Sequence, residues 1–136
     1  MSVSHTVDPE TKIAIIGVHG LSNLDEILET IGRLAKDRRF RRGYGVLIDI
    51  REMKYSPFAD EAAKLADAIA RSAPLRNHPI AMVASRRAQL SLAEMITEVA
   101  KVRGAVARAF RPNIGAAAIW LDQQMRLHRS GGSRAH

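Results

Sequence analysis

The sequence predicts an α/β protein on a mostly parallel sheet with one antiparallel edge strand, in the order β-β-α-β-α-β-α-β-α. Three observations lead there. Helix-periodic segments alternate with short apolar runs along most of the chain, which implies right-handed crossovers between parallel strands. The first two strand-like segments are joined by the turn "DPET", which suits an antiparallel hairpin. At 136 residues the chain is one domain by length, able to bury a core without staples.

"VSHTV" (3–7) alternates apolar and polar residues, as a half-buried edge strand does. "KIAIIGVHG" (12–20) is the second strand. In "LSNLDEILETIGRLAKDRR" (21–39), Leu24, Ile27, Leu28, Ile31, Leu34 and Ala35 recur at helical spacing and make one apolar stripe. Both Ser22 with Asp25 and Asn23 with Glu26 fit an N-cap and its partner three residues on. Glu29 and Arg33 stand as an i,i+4 pair on the wet face. The closing arginines suit the negative end of the dipole, and Gly43 helps end the helix.

"GVLIDI" (45–50) is a nearly continuous apolar run, the pattern of a central parallel strand covered on both faces. A helix from about Pro57 to Ala73 turns Ala62, Leu65, Ala66 and Ile69 inward, and Pro74 closes it. "PIAMVAS" (79–85) is another buried strand. "AQLSLAEMITEVAKVRG" (88–104) follows as a helix, with Leu92, Met95, Ile96, Val99 and Val102 on one side and Gly104 as its stop. "AVARAF" (105–110) is a short last strand. "PNIGAAAIWLDQQMRLH" (112–128) is the last helix, with Asn113 as its cap and Asp122–Arg126 as an i,i+4 pair. The domain spans 1–126. Residues 127–136 form a basic Gly/Ser/Arg-rich tail, expected to be disordered because it has no apolar pattern to bury.

Composition narrows function. Cysteine is absent, which removes thiol catalysis and thiolate metal sites and fits a reducing cytoplasm. "MSVSHTVDPE" lacks the pattern of a signal peptide. The longest apolar stretch, "IGAAAIWL", falls far short of the roughly 20 residues a membrane span needs. The expectation is a soluble, cytoplasmic protein. The net charge of +7 concentrates in "KDRRFRRG" (36–43) and in the tail. With only 6 aromatic residues and no recognition-helix pattern, specific nucleic-acid binding is not expected.

The element order, the early hairpin and "VLIDIREM" leading into an acidic-capped helix resemble the STAS superfamily (sulfate transporters and anti-sigma-factor antagonists). Within it the chain is most similar to the SpoIIAA-like branch of small bacterial proteins. The resemblance covers about residues 3–126 and implies a protein-interaction module. In the antagonists a strand ending in aspartate leads to an Asp-Ser-Ser-Gly motif whose serine is phosphorylated. Asp49 matches the aspartate, but the loop reads "SPFAD" (56–60), so the resemblance implies a module without the switch. Ser56 before Pro57 is a strong N-cap arrangement, and a phosphate there would meet Asp60 and Glu61; Ser56 is therefore expected to cap rather than to be phosphorylated. A further likeness to CRAL-TRIO lipid-binding domains would imply an apolar pocket, against which the alanine-lined helix faces argue.

The alternative function is a small anionic or lipidic ligand. In open parallel sheets ligands sit beyond the C-terminal strand ends. Arg51, Arg86, Arg87 and Arg111 reach that edge, beside His19, Glu52 and Ser85, and are the candidate anion-binding set. No catalytic fingerprint is present, and the histidines lack metal-ligand spacing, so no enzyme, metal or cofactor is expected. The first strand offers an edge for a protein partner or a second copy, a homo-oligomer such as a dimer.

Overall fold

The computed structural model describes residues 3–54, 59–71, 75 and 77–134. The elements follow the expected order: β1 (Val3–Asp8), β2 (Ile13–Gly20), α1 (Leu24–Lys36), β3 (Gly45–Met53), α2 (Ala59–Arg71), β4 (Ile80–Val83), α3 (Arg87–Val102), β5 (Ala107–Phe110) and α4 (Ile114–Arg134). Ser56, Pro57 and Pro74 lie outside the described residues.

The sheet runs β1-β2-β3-β4-β5, so each strand lies beside its neighbour in sequence. β1 pairs antiparallel with β2, and the other three pairings are parallel. Right-handed crossovers that always advance in one direction place their helices on one face. Side chains from α1, α2 and α3 accordingly share one core cluster with Ala14, Ile16 and Val18 of β2, Val46, Ile48 and Ile50 of β3, and Ile80 and Met82 of β4. The opposite face is held by α4 alone, through Ala117, Leu121 and Met125 against Ile13, Leu47, Ala81 and Val83. The even and odd residues of β3 and β4 thus serve two different cores, the two-sided burial that their apolar runs imply.

One glycine governs how closely α4 can lie. A Cβ on Gly45 would sit 3.1 Å from Leu121 Cδ2 and 3.4 Å from its Cβ, so the start of β3 and the helix meet over a bare backbone.

Three elements differ from the sequence expectation. α1 starts at Leu24 because Asn23, not Ser22, caps it: Glu26 N donates to Asn23 Oδ1 at 2.9 Å. It stops at Lys36, so the arginines expected to close it lie beyond it. There the Asp37 backbone N–H returns to the Leu34 carbonyl, while the Asp37 carboxylate accepts from Arg39 N at 3.0 Å. Second, α3 is rotated about its axis relative to the expected stripe. Gln89, Ala93, Ile96, Thr97 and Ala100 are buried, whereas Met95 is 40% and Val102 87% exposed. Alanines let the helix lie close, and the Thr97 hydroxyl donates to the Ala93 carbonyl at 2.9 Å, so its burial leaves no unmet hydrogen bond. Third, α4 runs to Arg134, into the segment assigned to a disordered tail. Extending a formed helix adds a backbone bond per residue without a new nucleation step, so the turn can continue past the packed residues.

Candidate functional site

The register pairs Asp49 with Val83 and Val83 with Phe110, so Arg51, Arg86, Arg87 and Arg111 lie at one edge of the sheet. Their chemistry divides them. Arg51 is committed to Asp49, two residues earlier on the same face of β3. Its Nε and Nη2 each donate to the carboxylate at 2.9 Å, and its backbone N at 3.1 Å. Burial alone would push the Asp49 carboxyl up. The hydrogen bonds from Arg51, its charge and that of His19 outweigh burial and hold it below the usual carboxylate range. Arg86, Arg87 and Arg111 are exposed and, among the described residues, have no acidic partner.

Gln89, which sequence reasoning missed, organises the corner where β4 hands over to α3. Its Oε1 accepts from the backbone N of Ser85 and of Arg86, both at 3.1 Å, in the role a capping side chain usually fills. Its Nε2 donates to the Met53 carbonyl at 2.9 Å, tying the end of β3 to the start of α3. The Ser85 hydroxyl also points to Gln89, at 3.1 Å.

Between α1, α2, α3 and the sheet lies an apolar cavity of about 20 Å³, lined by residues such as Val18, Ile50, Met53 and Leu92, whose charged lining residue is Glu61. That is room for about one water, not for an acyl chain. Among the described residues no arginine lines it.

A second ionic group joins β1 to the end of α1. His5 Nε2 lies 3.1 Å from Asp37 Oδ2, and Arg39 Nη2 lies 2.8 Å from the same oxygen. The hydrogen bonds from the Arg39 side chain and backbone, helped by His5, hold the Asp37 carboxyl well below its ordinary value. His78 lies at the other edge, its ring 4.4 Å from that of Phe40. Among the described residues no three His, Asp or Glu side chains come together as metal ligands.

The α4 side of the molecule is only partly covered. α4 packs on β3 and β4, and the strip beyond it is open. There Ser4 stands beside Gly17, and Thr6 beside Ile15, which is 37% exposed. The His19 ring folds over Gly17, where a Cβ would meet Nε2 at 2.9 Å. On the outer side of α4, Ile119 is 63% exposed. Among the described residues no helix is long and apolar enough to cross a membrane. No protein-family model, curated protein or solved structure matches the chain.

Proposed function

We propose that this protein is a non-catalytic interaction module of STAS-like, SpoIIAA-like type, a cytoplasmic protein working without a phosphoserine switch. Its contact surface is the open half of the α4 side, and its partner is another protein or a second copy. The observation that carries this reading is that one helix, seated on β3, β4 and Ile13 at the start of β2, leaves Ile15 and Ile119 exposed on that side. Apolar side chains flanked by Ser4, Thr6 and the Asp49–Arg51 pair have the composition of a contact patch with a polar rim.

The alternative, a small anion or lipid at the C-terminal edge, rests on Arg86, Arg87 and Arg111 having no acidic partner among the described residues. Three features weigh against it. Crevices for ligands form where strand order reverses, and this order never does. Arg51 is already neutralised, and the nearby cavity holds about one water.

Native mass spectrometry of the fresh protein, followed by the same sample denatured, tests the choice. The expected result is a bare monomer or dimer at the sequence mass. An adduct lost on denaturation would move the assignment to the ligand reading, and a phosphate-sized increment that survives would restore the switch.

A further inference from the structure

We infer that the N-terminal edge of the sheet, opposite the edge considered above, carries a binding site for a small phosphorylated ligand, held by Arg41 and Arg42. The loop after α1 is folded by two successive turns, Phe40 N to the Asp37 carbonyl at 3.0 Å and Tyr44 N to the Arg41 carbonyl at 3.2 Å. Its aromatic side chains are seated. Phe40 packs edge-on against Tyr44 at 6.4 Å and against the His78 ring at 4.4 Å, and His78 Nδ1 lies 2.7 Å from the Tyr44 carbonyl. Gly43 at φ +86° and Asn77 at φ +69° set the two loop backbones that face one another. Between them is an open concavity of about 330 Å³, lined by Phe40, Arg41, Arg42, Gly43, Asn77 and His78. That is the lower end of the size range of small-molecule sites.

The charges explain the choice of ligand. Arg39 is tied to Asp37, but Arg41 and Arg42 are exposed and have no acidic partner among the described residues. Nor do they complement a helix dipole, since they lie beyond the last turn of α1, where that field acts. Two guanidinium forks at the rim of one polar concavity match the two charges and several acceptor oxygens of a phosphate group. A bounded concavity and a single neighbouring ring pair favour a small ligand over a nucleic-acid strand, which needs a row of stacking surfaces.

Titration with pyrophosphate, followed by calorimetry and by amide chemical shifts, tests this site. Saturable binding is expected, with shifts centred on residues 40–44 and 77–78. Arg41→Ala and Arg42→Ala should each weaken it about tenfold, the loss of one charge-assisted contact. Lys54→Ala removes a positive charge at the opposite edge and should change affinity less than about twofold, because exposed charges that far apart are screened. Equal weakening by all three variants would reduce the effect to diffuse attraction and overturn the site, as would absence of saturation. Tighter, strongly salt-dependent binding of a single-stranded oligonucleotide through the same arginines would overturn the small-ligand assignment in favour of nucleic acid.

Discussion

The two faces of the sheet are built to different standards. The three-helix face buries Ile16, Val18, Val46, Ile48 and Met82 to between 0 and 2% exposure beneath α1, α2 and α3. The other face has one helix, seated mainly by Ala117, Leu121 and Met125, and beyond it a strip of β1 and β2 with Ile15 open to solvent. On the first face the sheet itself is out of a partner's reach. The second buries enough to order α4 and stops there, so the difference separates a surface that holds the fold from one that can meet another molecule.

The largest effects should come from the deeper face. Ile16→Ala is expected to destabilise by about 3–4 kcal/mol, with every probe of unfolding shifting together in urea. Leu121→Ala should cost about 3 kcal/mol. Hydrogen exchange should then show the α4 amides opening ahead of the strands. If α4 and the sheet open together in that variant, the two faces are one cooperative unit and the contrast is broken.

A smaller effect is expected at Asp49. Asp49→Asn leaves Arg51 without its charged partner and should cost about 1 kcal/mol at neutral pH, a modest figure because solvent reaches the pair. The sign with pH follows from the direction of the shift. The Asp49 and Asp37 carboxyls are both held below their ordinary value, so their contribution is complete above the usual aspartate range, roughly pH 4. It is lost as pH falls through the lowered values. Urea midpoints between neutral pH and pH near 2 should therefore fall less steeply for Asp49→Asn than for the wild type.

The smallest effect on stability, and the sharpest test of the contrast, is Ile119→Arg. With 63% of Ile119 exposed, the change should leave stability within about 0.5 kcal/mol. Where the wild type self-associates in sedimentation, the variant should not. An unchanged association constant would remove the outer side of α4 from the contact surface.

Much of this architecture is legible in the residues because periodicity reports burial directly. The run through Val46, Leu47 and Ile48 announces a strand covered on both sides, and Asn113 and the Asp122–Arg126 pair stand where helix logic puts them. The face of α3 is less legible. A hydrophobic stripe gives Leu and Val more weight than alanine, whereas here Ala93 and Ala100 face inward beside Gln89 and Thr97, whose hydrogen bonds make polar burial tolerable. Residue spacing did hold a signal at the candidate edge. Asp49 and Arg51 are two apart on a strand, which puts them on one face and forecasts their pairing. The contact of His5 with Asp37 joins residues 32 apart and has no local signature. Strand order has none either, and it decides whether a sheet carries a crevice at its edge.

That order also bears on how the chain assembles. Each new strand docks beside the one made just before it, so every crossover closes a short loop and no strand waits for a distant partner. The sheet can grow by accretion as the chain is synthesised, with its three-helix side completed unit by unit. Only α4 must reach back, from the end of β5 to β3, and until it does Leu47, Ala81 and Val83 stay uncovered. The hypothesis that α4 docks after the folding barrier predicts that Leu121→Ala speeds unfolding and leaves the refolding rate nearly unchanged. A slowed refolding limb in stopped-flow would place α4 in the nucleus instead.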